Sequence, residues 1–482
     1  MHQKNKTSSF FWIISKYFLF WNKHSEMKKQ FHTLFLLLLI QFSTYAQIIS
    51  YELVESWSEQ EVSQVYSSYS IPESVGQINY GVDGYKILYY TPDFDGELVI
   101  CSGAIYLPSG INCQPPVLSW QHGTMAHNYY APSNIGNTNN DLMGVICAAN
   151  GYIVTMSDFI GLGEGEGIHN YVHANTEALA TIDLIKYGKE LASEILGVSP
   201  NNQLFLFGYS QGGHATMATV KEIEANFSNE LEITASAPMA GPYDMSESQR
   251  LMLESGEAYP NPGYLPYVLF AYNKIYNLYN DINQVLKSPY TTLIDMYNGT
   301  YSMWSINNTM WDIGEEMYGI NPADFSPISI FQDSYYQEYL TNENHPFKLA
   351  LLDNNVYNFT PSSPMRLLHC SGDDNVTYDN AEVAYNYFIE NGAQNIELID
   401  GGNFNHEECA SIAIIGAKLW FDSMAELCNP NSNTHEFNDV NRKIVKKIDF
   451  LGKSITSENN TKNFISIYND GTTKKTAKFR QT

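Results

Sequence analysis

An apolar tetrad, Leu204-Phe205-Leu206-Phe207, runs straight into Gly208-Tyr209-Ser210-Gln211-Gly212-Gly213, and residues 211–226 then read as a helix. Few architectures accept such a reversal from strand to helix within two or three residues. The residues on either side of the serine must be small, because the two backbones nearly touch. The serine is forced into a strained conformation with its oxygen held above the end of a sheet. The N–H of Gln211, at the helix start, points at the same region of space. A lone G-x-S-x-G is weak; between a buried strand and a helix it reads as a nucleophile elbow.

The surrounding chain has the matching periodicity. Val99 to Leu107, Val117 to Gln121, Tyr152 to Ser157, Ile233 to Ala240, Met365 to His369 and Ile396 to Ile399 read as strands. Trp57–Tyr69, Asn175–Glu190, Thr377–Glu390 and Ile412–Met424 read as helices. Apolar strands without alternation, separated by helices, predict a mostly parallel sheet buried on both faces. Residues 243–362 break the rhythm and are too long for a loop. Within them Leu265, Val268, Leu269, Tyr272, Ile275, Tyr276 and Tyr279 recur at helical spacing, predicting an inserted helical cap.

A serine nucleophile needs a base, and the base an orienting acid, here in the chain order serine, acid, histidine. Asp373 and Asp374 follow the strand Met365–His369, and either can serve as the acid. Downstream lie only His406 and His435. His406 sits in a glycine-bearing loop after the last strand, whereas His435 lies in the polar stretch NPNSNTHEF. A second oxyanion donor can come from the His122-Gly123-Thr124 loop or from the loop that begins at Asp158. His127, His169, His173, His214, His345 and His369 read as hydrogen-bonded structural residues, and no HExxH spacing suggests zinc. The glycines of GLGEGEG are no phosphate loop: no Lys follows, and Glu164 and Glu166 would repel phosphate. No cofactor is expected.

Charge excludes further classes. The chain has 482 residues, with Lys+Arg 26 against Asp+Glu 52 and a net charge of −26. The basic residues concentrate at the two ends; between residues 47 and 441 the only Arg are Arg250 and Arg366. Such a body has no footprint for nucleic acid, and it points to a cold or saline habitat. No apolar run is long enough to span a membrane. Met27-Lys28-Lys29, the run Leu34–Ile40 and the small residue Ala46 compose an export signal starting at Met27 and cut after Ala46. An exported chain can form disulfides. Cys101–Cys113 and Cys409–Cys428 are plausible local pairs among six cysteines, though spacing alone does not decide.

Taken together, GYSQGG (208–213), GYIVTMSDFIGLG (151–163), GDDNV (372–376) and NHEEC…LWF (405–421) resemble the secretory lipase family of α/β-hydrolases, over about residues 57–425. The resemblance implies an α/β-hydrolase fold, a mostly parallel sheet flanked by helices, in a catalytic domain of residues 47–430 with a cap at about 243–362. It implies a secreted carboxylic ester hydrolase of acylglycerols or related lipids, with Ser210 as nucleophile, Asp373 (in D-x-x-V) as acid and His406 as base. It favours Asp158 over Thr124 as the oxyanion partner of Gln211. It departs at Thr377, where a proline is usual. Residues 431–482 form a linker and a tail resembling a type IX secretion sorting domain, which implies the secretion machinery as a partner. A lipid–water interface is a further expected partner. A short-chain or aromatic esterase, a serine peptidase on the same fold and a non-catalytic binding protein are the rival readings.

Overall fold

The computed structural model describes residues 48–72, 75–136 and 141–428, together with three strands between residues 444 and 477. The expected export signal, at residues 1–46, lies outside the described residues. The body is built on a nine-stranded sheet. Strand β1 (Ile48–Trp57) leads through helix α1 (Glu59–Ser68) to the hairpin of β2 (Val82–Pro92) and β3 (Leu98–Pro108). Then come β4 (Val117–Gln121), α2 (Asp141–Asn150), β5 (Ile153–Ser157), α3 (Ala174–Leu196), β6 (Leu204–Tyr209), α4 (Gln211–Glu222) and β7 (Ala235–Met239). After a long helical segment follow β8 (Met365–His369), α10 (Asp379–Glu390), β9 (Ile396–Asp400) and α11 (His406–Asp422). That segment holds α5 (Ser248–Glu254), α6 (Tyr264–Tyr276), α7 (Met303–Tyr318), α8 (Asp333–Thr341) and α9 (Pro346–Asp353).

The sheet order is β1-β2-β3-β5-β4-β6-β7-β8-β9. Pairings are antiparallel from β1 to β5 and parallel from β5 onward. Every residue of β4, β5, β6, β7 and β8 is buried. That is why these strands read as mainly apolar runs without period-2 alternation, with helices on both faces. This is the α/β-hydrolase fold. The chain reverses its direction of travel across the sheet around β4. Ligand-binding loops of such sheets gather at the carboxyl ends of the strands beside that reversal.

Several elements depart from the sequence reading. Trp57 closes β1, and the helix begins only at Glu59, where Ser58 and Glu61 form a capping box. β1 is exposed along most of its length, so it carries no burial pattern. Asp141–Asn150 is buried on nearly all sides, so its helix shows no amphipathic period. α11 starts at His406 rather than Ile412, because Asn405 and Glu408 cap it reciprocally before its apolar stripe begins. The disulfides are Cys113–Cys428 and Cys370–Cys409, with Cys101 and Cys147 free and buried. Neither pair of sequence neighbours forms, since β-sheet topology, not chain distance, brings the thiols together. A three-stranded antiparallel sheet, β10 (Ile444–Ile448), β11 (Asn463–Tyr468) and β12 (Thr473–Ala477), occupies the C-terminal region.

Candidate active site

Ser210 sits between β6 and α4 with φ 62° and ψ −122°. A non-glycine residue reaches this region only when its neighbours hold it there. Its N–H donates to Met239 O at 2.9 Å, and its carbonyl accepts from Gly213 N at 2.8 Å and His214 N at 3.1 Å. The glycines of the motif are explained by close approach. A Cβ on Gly208 would overlap Gly212 O and Gln121 O, and one on Gly212 would overlap Gln121 O. As the first residue of α4, Gln211 carries an N–H outside the helical ladder.

His406 opens α11, and its Nδ1 meets Asp373 Oδ2 at 2.7 Å. That leaves Nε2 as the ring nitrogen not committed to the acid. Tyr209, the residue before Ser210, bridges the two: its hydroxyl donates to His406 O at 2.6 Å and its ring centroid lies 4.9 Å from the imidazole. Among the described residues no hydrogen bond joins Ser210 to His406, an arrangement common before substrate binds.

Both oxygens of Asp373 are engaged. Oδ1 accepts from Asn375 N at 2.9 Å and Val376 N at 2.8 Å. Oδ2 accepts from His406 and, at 3.2 Å, from His369 Nε2. Burial alone would push the Asp373 carboxyl up, but hydrogen bonds from His369 and His406, and their charge, hold it well below the usual carboxylate range. Asp374 instead accepts the backbone N–H of His406 at 3.2 Å. The pair that the sequence left open is therefore divided: Asp373 on the ring, Asp374 on the main chain. The Cys370–Cys409 disulfide ties the acid loop to α11.

The two candidate oxyanion loops differ sharply. Gly123 lies against the elbow: a Cβ there would be 3.9 Å from Ser210 Cβ and 3.5 Å from Tyr209 O. Asp158 is fully buried, and its groups are taken. Its N–H donates to Ser102 O at 3.0 Å, Oδ1 accepts from Ser133 N at 2.8 Å and Oδ2 from Ser102 Oγ at 2.5 Å. Burial raises its carboxyl, against the hydrogen bonds from Ser102 and Ser133. Asp158 O also faces His122 Nε2 at 3.2 Å, so Asp158 braces the His122 loop from behind. The resemblance favoured Asp158 as a donor; the hydrogen-bond accounting leaves it none to offer.

The histidines set aside as structural all have ring hydrogen bonds. Sequence reasoning missed that His369 shares the acid, a contact visible only once β8 and its loop are folded. Among the described residues no group of three or more His, Cys, Asp or Glu is arranged to hold a metal.

Comparison with known proteins shows the family and the fold. The model of the family described as secretory lipase matches residues 133–423. The rice cell wall degrading esterase LipA from Xanthomonas oryzae is similar at 26% identity and TM-score 0.67, covering 79% of this chain and 98% of that one. Candida antarctica lipase A shares the fold at 17% identity and TM-score 0.56, covering 78% of this chain and 81% of that one. No curated protein sequence matches.

Proposed function

The chain belongs to the secretory lipase family of carboxylic ester hydrolases, and from that premise we propose a serine mechanism in which Ser210 attacks lipid esters, His406 is the base and Asp373 its orienting acid. The observation that carries the reading is the 2.7 Å contact of His406 Nδ1 with the ionised Asp373. It fixes the tautomer that leaves Nε2 bare to take the Ser210 proton. Ser210 Oγ adds to the ester carbonyl, and the oxyanion accepts the N–H groups of Gln211 and Thr124. We assign the second donor to Thr124 rather than Asp158 because Gly123 abuts the serine. His406 then protonates the leaving alcohol, and water activated by the same imidazole releases the acid from the acyl-enzyme.

The helical segment between β7 and β8 supplies the reading's lipid side. It forms a small, mainly apolar pocket walled by Leu253, Leu265, Val268, Phe331, Phe347 and Leu351, with the Arg250–Glu254 ion pair in the same lining. Gln249, in the same wall, donates to Asn375 O at 2.9 Å, two residues from the acid. An acyl chain is the ligand that such a wall suits. Export fits the family and the basic, apolar N-terminus, and the C-terminal antiparallel strands fit a small sorting module. Among the described residues no helix is long and apolar enough to cross a membrane.

The test is turnover of nitrophenyl esters from about two to sixteen carbons by wild type and Ser210→Ala. Loss in the variant of roughly 10³-fold or more is expected, with wild-type activity highest on long chains. Undiminished turnover by Ser210→Ala would overturn the mechanism. A short-chain optimum would keep the mechanism and make the enzyme an esterase with a closed pocket.

A further inference from the structure

The side chain of Gln211 does not face the proposed oxyanion; it is buried and anchored beneath it. Its Nε2 donates to Glu177 Oε1 at 2.7 Å and to His169 Nε2 at 2.7 Å. His169 can accept because its Nδ1 donates to Ile160 O at 2.7 Å and because burial lowers the ring to about 3, keeping it neutral. The second carboxylate oxygen of Glu177 meets His214 Nδ1 at 2.8 Å, and His214 Nε2 meets Asn354 O at 3.1 Å. Gln211, Glu177, His169 and His214 are each at most 1% exposed.

The network spans four parts of the fold: the elbow, the first turn of α3, the loop after the glycines and the return from the helical segment. Gln211 Oε1 is left without a partner among the described residues. A buried amide oxygen left unpaired costs about 1–3 kcal/mol. The arrangement therefore favours holding the amide's two N–H groups over satisfying its oxygen. A glutamine at the first position of a helix has no ladder bond to fix its own N–H. Here the side chain of that residue is anchored at two points.

We propose that Glu177 and His169 are positioning residues, which clamp the Gln211 amide and so aim the Gln211 backbone N–H at the oxyanion. The inference rests on the serine mechanism above and adds the means by which its electrostatic donor is preorganised. A donor held on the oxyanion position stabilises the transition state more than the bound ester, so displacing it by a fraction of an ångström lowers kcat, the quantity on which the network acts.

Three single variants, one double variant and one inhibitor test this. Gln211→Met removes both side-chain donors but keeps the backbone N–H and the volume. It is expected to lower kcat on nitrophenyl butyrate roughly 10- to 100-fold with KM within about twofold. Affinity for butylboronic acid, which forms a tetrahedral adduct with the serine oxygen, should fall by the same factor. Glu177→Leu should match it, and the double variant should be no worse than either single one. Glu177→Gln keeps an acceptor for Gln211 and lets His214 carry its proton on Nε2, so kcat should recover to within about fivefold of wild type. Unchanged kcat and boronate affinity in Gln211→Met, or a loss in KM alone, would overturn the proposal. If Glu177→Leu does not fold, Gln211→Met and Glu177→Gln still decide. Full activity in Ser210→Ala would instead indict the nucleophile assignment.

Discussion

Two adjacent aspartates divide the work around His406, and the division is decided by main-chain N–H groups. Asn375 N and Val376 N both close onto Asp373 Oδ1, turning Oδ2 toward the imidazole. This is the physical content of the D-x-x-V spacing: the third residue on returns its N–H to the acid. The expected outcome is that Asp373→Asn lowers kcat roughly 10³- to 10⁴-fold. Asp374→Asn, which weakens one hydrogen bond to His406 N, should cost about tenfold or less. Steady-state kinetics on one ester separates them, and equal losses would refute the division. The same carboxylate shapes acid stability. Its folded-state value lies below its unfolded one, about 3.9. The stabilisation it confers is thus complete above that pH and is lost as pH falls through the folded value. Urea midpoints between about pH 5 and pH 2.5 should therefore fall less steeply in Asp373→Asn than in wild type. The elbow at Ser210 and the placement of His406 beside an acid were legible from strand, glycine and chain order alone. Asp158 misled because its neighbours in sequence say nothing of Ser102 and Ser133, which consume it.

Elements that carry the site are stapled as well as packed. Cys370 directly follows β8, just before the acid loop, and Cys409 lies in the first turn of the helix that His406 opens. The crosslink joins the acid's strand to the base's helix across a separation of 39 residues. Closing a loop of that length removes about 4 kcal/mol of unfolded-state entropy. The double variant Cys370→Ala/Cys409→Ala should therefore melt lower and lose kcat more than KM, as Asp373 and His406 gain freedom to separate. The matching change at Cys113 and Cys428 removes a link remote from Ser210 in the chain's hydrogen bonding and should lower stability with kcat nearly intact. Equal kcat in both would show that the first staple does not set the geometry. These pairings were beyond sequence reasoning for the reason that hid β1 and β2. Strands exposed on both faces, or broken by Gly84 and Lys86, give no period, and without the sheet order no thiol can be matched to its partner. Most of the parallel strands were readable because burial on both faces makes them mainly apolar without period-2 alternation, as in Leu204–Phe207.

At the scale of the whole molecule, charge is the quantity that composition announces and the structure explains. Between residues 47 and 441 ten Lys and Arg face forty-eight Asp and Glu. Eight of those cations already stand in ion pairs, among them Lys86–Glu164, Lys274–Asp93, Arg366–Glu397 and Lys418–Asp422. Most of these pairs have an exposed partner, such as the 92% exposed carboxylate opposite Lys287, and pairs of that kind contribute about 0–1 kcal/mol each. Within that span the excess carboxylates have no cation to meet and repel one another. Added salt acts on both terms with opposite sign. It weakens a few pairs of small value, and it screens a repulsion summed over the whole acidic body, whose range shrinks from about 30 Å at 0.01 M to about 3 Å at 1 M. The second term is the larger, so the melting temperature should rise by about 2 °C or more between about 0.01 M and 1 M sodium chloride. Calorimetric scans of the full chain at constant pH measure it. A fall over that range would mean that the ion pairs, and not the unpaired acids, dominate the electrostatics of the fold.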